Sequence, residues 1–234
     1  MTLEVCVDTS AGLAEAIAGG ADRIELCAAL ALGGLTPSPG FMAEAAACGL
    51  PVTAMIRPRA GDFVFSDREL AQMEVDIATA RAVGLAGVVL GASLPDGRLD
   101  MDMLRRLKSA AGPLDCTLHR AFDLVPDQAG ALEQAVELGF SRILTSGGEF
   151  TAEAGAERIA VLLAQARGRI SIMPGSGISP ANAARFVAMG AKELHASCAR
   201  PVLATGRAVE LGFGPGAERH TDAAAVRALR QSLP

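Results

Sequence analysis

Four times along the chain one phrase recurs: a helical stretch, a glycine that stops it, then a few apolar residues that read as a strand. It appears at Gly20-Ala21-Asp22-Arg23-Ile24-Glu25-Leu26, at Gly84 to Leu90, at Gly139 to Thr145 and at Gly190 to Ala196, with separations of 64, 55 and 51 residues. Three further segments of the same kind lie between them: Leu50-Pro51 to Arg57, Gly112-Pro113 to His119 and Gly168-Arg169 to Met173. Leu3 to Asp8 opens the chain as a strand. Strands that alternate with helices make a parallel sheet, and eight such units in 234 residues predict a single-domain (β/α)8 barrel spanning residues 1–234. The doubly wound open sheet is the alternative, and a count of eight suits it less well.

The helix boundaries follow from capping chemistry. Ser38-Pro39 and Ser179-Pro180 each set an N-cap before a proline at the first helical position, and Ser66 to Glu69 spells a capping box. Helices are predicted over Ser10–Gly19, Pro39–Cys48, Asp67–Val83, Met101–Ala110, Asp127–Leu138, Ala152–Arg167, Pro180–Met189 and Asp222–Gln231.

Composition narrows the function classes. The chain carries 21 basic and 26 acidic side chains, and its only aromatic residues are eight phenylalanines. It therefore lacks both the basic surface and the Tyr and Trp stacking rings of nucleic-acid binders. The first ten residues hold Glu4 and Asp8 and no basic cluster, unlike a secretory signal, so a cytoplasmic location is expected. The uncharged run from Leu26 to Ala43 contains Gly33, Gly34, Thr36, Pro37, Ser38 and Pro39, and reads as strand end, loop and helix start rather than a membrane span. Five scattered cysteines argue against a disulfide framework.

Strand parity then selects the interior. In a barrel alternate strand residues point inward, and the C-terminal strand ends form the mouth where ligands bind. With Val5, Val7, Ile24 and Leu26 facing the helices, the inward set includes Glu4, Cys6, Asp8, Arg23, Glu25, Cys27, Thr53, Met55, Arg57, Thr117, His119, Ser146, Met173, Glu193, His195 and Ser197. Arg23, Arg142 and Glu193 fall low on their strands and are expected to neutralise one another there. The upper set, Asp8, Glu25, Cys27, Arg57, His119, Ser146, His195 and Ser197, is expected to form a ligand site.

Two loops extend that site. Arg57 and Arg59 in Arg57-Pro58-Arg59-Ala60-Gly61-Asp62-Phe63 could fork onto an anion, or Arg59 could simply pair with Asp62. Pro174-Gly175-Ser176-Gly177 precedes the seventh helix, so the backbone N–H groups of Gly175 and Gly177 are candidates for holding a phosphate or carboxylate. No CxxC or HxxxH spacing is present, which excludes the usual structural zinc patterns. Cys6 and Cys27 lie near the tops of adjacent strands. With Met55 or Met173 they would suit a soft ion such as Cu(I), with Cys27 nearer the solvent, or both could be small buried hydrophobes.

At these residues the chain resembles the CutC family of copper-homeostasis proteins. The matching segments are Leu3 to Asp8, Gly20 to Cys27, Gly33 to Ser38, Ile56 to Phe63, His119 to Asp123, Leu144 to Gly147 and Glu193 to Ser197, with Ala60 where the family motif has glycine. The resemblance implies a cytoplasmic barrel that binds copper, as Cu(I), at Cys6 and Cys27. The alternative is a barrel enzyme of lyase, isomerase or hydrolase type acting on a small anionic or phosphorylated metabolite. In it Arg57, Arg59, Gly175, Gly177 and Ser197 would hold the anion and Glu25, His119 or His195 would move protons. The expected partners are a copper ion or a small anionic ligand, with neither nucleic acid nor membrane, and homo-oligomerisation is left open.

Overall fold

All eight strands form in the computed structural model, which describes residues 1–234: β1 (Thr2–Val7), β2 (Arg23–Leu26), β3 (Val52–Met55), β4 (Gly87–Leu90), β5 (Asp115–Leu118), β6 (Arg142–Thr145), β7 (Ser171–Pro174) and β8 (Glu193–Ala196). They are parallel and ordered β7-β6-β5-β4-β3-β2-β1-β8, so every hydrogen-bonded pair except β1 with β8 is consecutive in the chain and joined by a crossover, and the two ends of the sheet meet at a seam. There β7 and β8 lie side by side without a hydrogen-bonded ladder, and the sheet curls into a nearly closed barrel.

Around it run α1 (Ser10–Gly19), α2 (Pro39–Ala46), α3 (Asp67–Ala82), α4 (Met101–Ala111), α5 (Gln128–Glu137), α6 (Ala156–Ala166) and α7 (Ala183–Ala188). Local chemistry sets their ends. The Thr9 hydroxyl caps α1 by accepting from the Gly12 N–H, and Gly20 ends it at φ 92°, a left-handed conformation that costs a glycine nothing. The capping box of Ser66 and Glu69 forms at the start of α3 as expected. Leu3, Val5, Val7, Ile24 and Leu26 face outward and pack against helix residues such as Leu13, Ile77, Leu104 and Phe186 in one apolar shell. Inside the barrel the apolar share is small: Cys27, Met55 and Val89 form a separate patch.

Three elements differ from expectation. Helix α6 starts at Ala156, not Ala152, because residues around Gly155 turn tightly against β6: a Cβ on Gly155 would lie 1.9 Å from the Ser146 carbonyl oxygen. Helix α7 starts at Ala183, not Pro180, because the Asn182 side chain accepts from the Ser179 N–H and holds Ser179–Asn182 as a separate turn. Between β8 and the last helix the sequence suggested only a connection. The chain instead forms an antiparallel hairpin, β9 (Ala199–Leu203) and β10 (Ala217–Thr221), with the short α8 (Arg207–Glu210) at its tip. This hairpin pairs only with itself and buries no face, so its strands carry no alternation of apolar and polar residues. Helix α9 (Ala223–Gln231) then packs on α1, where a Cβ on Gly19 would lie 2.4 Å from Val226 Cβ.

Candidate functional site

Register builds the lower interior. Glu4 on β1 stands opposite Arg23 of β2 on one side and His195 of β8 on the other. Arg23 donates to Glu4 at 2.5 Å and to Glu193 at 3.2 Å, and Arg142 pairs with Glu193 at 2.9 Å and with Asp115. Arg142 also donates to the Thr117 hydroxyl at 3.0 Å. Burial alone would push the Glu4 carboxyl up, but the His195 hydrogen bond and Arg23 outweigh it and hold the group down at about 2. This layer is closed on itself, as expected for Arg23, Arg142 and Glu193, with Glu4 and Asp115 completing it.

One step toward the mouth the pattern changes. Cys6 stands opposite Glu25 in the β1–β2 ladder, and His195 enters from β8. One donor atom from each of Cys6, Glu25 and His195 lies within 4.8 Å of the others, and all three side chains are buried. His195 donates from Nδ1 to Glu4 at 2.9 Å, which orients Nε2 toward Glu25, 3.7 Å away. Burial opposes a charge on His195, yet Glu25 and Cys6 beside it raise its pKa well above the usual value. The Glu25 carboxyl is pushed up by burial, only partly offset by His195.

Cys27 lies two residues beyond Glu25 on β2 and donates its S–H to a Glu25 oxygen at 3.6 Å. Contrary to expectation it is the less exposed of the two cysteines, fully buried against 6% for Cys6. The turn at Leu30–Leu32 folds back over it, and a Cβ on Gly34 would come 3.1 Å from its sulfur. Burial and the neighbouring Glu25 push its thiol pKa well up. Met55 packs against Cys27, whereas the Met173 sulfur accepts from Arg23 at 3.4 Å.

Arg57 follows β3, the strand beside Glu25's β2, and His119 follows β5 further round the barrel. The Arg57 fork donates to three backbone carbonyls, Leu32 at 3.0 Å, Gly34 at 3.2 Å and Gly61 at 2.8 Å. His119 Nδ1 accepts the Ala121 N–H at 3.1 Å, so in the neutral ring the proton sits on Nε2. Burial, helped by Arg57, lowers the His119 pKa to about 3. At neutral pH this imidazole is an uncharged donor. Phe63 lies against both groups, with its ring centroid 4.8 Å from the guanidinium carbon and 4.7 Å from the imidazole. Arg57 Nε, His119 Nε2 and Glu25 Oε1 are buried without a hydrogen-bond partner, a cost of roughly 1–3 kcal/mol each.

Glu25, Arg57, His119, His195, Cys6, Asp8 and Ser197 line one cavity of about 1150 Å³ at the C-terminal mouth. Cys27 does not reach it. Other expected groups are also placed elsewhere. Arg59 pairs with Asp62 at 2.9 Å and with Glu69, and stacks over Phe65, so its guanidinium is already engaged outside the cavity. The Gly175 N–H is taken by the Thr145 carbonyl, and Gly175 instead gives room to Leu144 and His195. Gly177 lines the cavity, but the late start of α7 leaves it with no helix N-terminus behind it. Ser146 joins Asp123 and Arg120 in a loop network. The hairpin supplies a wall that sequence reasoning missed, with Cys198, Glu218, Arg219 and His220 on the rim. Its one legible sign was the long interval between Ser197 and Asp222.

A (β/α)8 barrel with a closed ionic floor and a polar, incompletely paired cavity at its C-terminal mouth is the class that these observations define. The chain belongs to the CutC family, whose model matches residues 1–200. A CutC family protein of Sinorhizobium medicae is 58% identical over 233 residues, 99% of this chain and 95% of the relative. The human copper homeostasis protein cutC homolog is 46% identical over 83% of this chain and 72% of its own length. Among solved structures, a CutC from Streptococcus agalactiae superposes with a TM-score of 0.80 at 34% identity, covering 84% of this chain and 98% of that one. A thiamine phosphate pyrophosphorylase from Pyrococcus furiosus, 16% identical with a TM-score of 0.60, shares the fold.

Proposed function

We propose that this chain is a cytoplasmic copper-homeostasis protein that takes up one copper ion, as Cu(I), at the barrel mouth. Cys6 and His195 are the donors and Cys27 stands in reserve beside them. The convergence of Cys6, Glu25 and His195 donor atoms within 4.8 Å carries this reading. A thiolate and an imidazole suit Cu(I), and the Glu4 carboxylate on His195 Nδ1 is the kind of outer partner that orients a metal-binding ring. The Glu25 oxygen is a harder donor and serves better as the acceptor for the protons that metal binding displaces. No helix is long and apolar enough to cross a membrane, and all five cysteines are free. We also take residues 1–234 as one domain, since α9 closes against α1.

Competition with a chromogenic Cu(I) chelator tests the assignment. Cys6→Ser and His195→Gln should each abolish capture, Cys27→Ser should weaken it, and Cys48→Ser and Cys116→Ser should leave it unchanged. Full capture by Cys6→Ser would remove the site.

A second reading has its own observation. The cavity is far larger than an ion needs, and three of its buried polar atoms lack partners. These features support an enzyme with acid–base chemistry on a small anionic metabolite, Glu25 and His195 exchanging protons and Arg57 facing the anion. Thermal stabilisation by carboxylated or phosphorylated metabolites without copper is its test, and a flat response across such a panel would end it.

A further inference from the structure

The two unpartnered nitrogens at the mouth, Arg57 Nε and His119 Nε2, have a shared design. His119 leaves β5 and leans across the end of β4, where Gly91 makes the crossing feasible: a Cβ there would lie 2.5 Å from His119 Cε1. The ring thereby meets Phe63, which also lies against Arg57 from β3. Each group is fixed by its other atoms, the guanidinium by three carbonyls and the imidazole by the Ala121 N–H. Each keeps one nitrogen, Arg57 Nε and His119 Nε2, with nothing to donate to. Arg57, His119 and Phe63 line the same cavity, and both side chains are more than nine-tenths buried.

We propose that the Nε–H of Arg57 and the Nε2–H of His119 form a two-donor site for a trigonal oxygen, the carbonyl or carboxylate oxygen of a small organic ligand, with Phe63 as the ring that gives way on entry. This deepens the second reading above and rests on it. Two fixed donors with a single positive charge match one planar oxygen or a monoanionic carboxylate. They match a phosphate dianion poorly, because the seventh loop adds no helix terminus and the Gly175 N–H is already spent. His119 acts here as a donor that polarises the ligand oxygen rather than as a group that exchanges protons, in agreement with a ring that stays neutral far below pH 7. The same cavity is lined by Glu25 and His195, the proton-exchanging pair of that reading.

Two measurements on the full-length, copper-free protein test the site. In nitrogen-15 spectra at pH 7, the His119 ring, assigned among the three histidines with His119→Gln, should show a protonated Nε2 and an unprotonated Nδ1. Addition of pyruvate or acetate should move the Nε2 proton resonance, whereas inorganic phosphate should move it little. His119→Phe, which keeps a ring against Phe63, should weaken pyruvate binding by about tenfold or more, the loss expected for one charge-assisted hydrogen bond. His119→Gln should restore part of it, and Phe63→Ala should not weaken it. An Nδ1–H tautomer, an equal response to phosphate, or undiminished pyruvate binding by His119→Phe would overturn the proposal. Absence of any pyruvate or acetate response would overturn it, while the enzyme reading falls only if the wider panel of carboxylated and phosphorylated metabolites is flat as well. Copper capture by His119→Phe should match wild type, so failure of the copper assignment is read separately.

Discussion

The barrel interior holds two charged regions on the same strands, and they are finished differently. In the lower layer Glu4, Arg23, Asp115, Arg142 and Glu193 are all paired. At the mouth Glu25, Arg57 and His119 are as buried as Glu4, Arg23 and Arg142, yet each retains an atom with no partner. Burial therefore does not separate structural charge from functional charge in this protein. Completeness of pairing does, because a closed network has nothing left to offer a ligand while an open one is stabilised by binding one.

The largest expected effect comes from breaking the closed layer. Arg23→Met strands the fully buried Glu4 carboxylate between His195 and an apolar side chain, and urea unfolding should show a loss of roughly 3–5 kcal/mol. No ligand of the mouth should compensate. A loss below about 1 kcal/mol would mean that the lower layer is not the structural unit described.

A smaller effect separates the regions by pH. Unfolded His119 takes up a proton below its ordinary value of 6.5, whereas the folded ring resists until about 3. The unfolded chain therefore binds more protons across that window, and stability should fall on acidification by up to about 1.4 kcal/mol per pH unit. Glu4 acts in the same direction further down: its contribution is complete above 4.5 and disappears as pH falls toward about 2. Urea midpoints of His119→Gln should be flatter than wild type between pH 6.5 and 4.5, and an unchanged slope would contradict a buried neutral imidazole.

The smallest effect sharpens the contrast. Glu25→Gln removes a buried carboxylate whose proton affinity is raised and one of whose oxygens lacks a partner, so thermal unfolding should be unchanged or raised, within about 1 kcal/mol of wild type. Copper capture by the same variant should weaken. A strongly destabilised Glu25→Gln would place Glu25 with the closed layer instead.

Much of this was legible in the chain. The Gly-stop-strand phrase located the strands, and parity put Glu4, Glu25, Arg57, His119 and His195 inside, because a two-residue period survives in any strand with one apolar face. Parity could not rank Cys6 and Cys27, since the turn at Leu30–Leu32 that buries Cys27 is a matter of how a loop folds back. Nor could it show that the Gly175 N–H and the Arg59 guanidinium are already occupied, because their partners, Thr145, Asp62 and Glu69, are chosen by packing. The hairpin was invisible because two strands that bury no face write no pattern.

By itself the sequence determined the alternation of strand and helix, the barrel, and which side chains point into it, all of which follow from local periodicity and capping. Only the tertiary structure decided which of those inward groups find partners. Pairing depends on the register between strands remote in sequence, such as β1 with β8, and on small clearances such as the one at Gly91, and neither distance is encoded in any single stretch of chain.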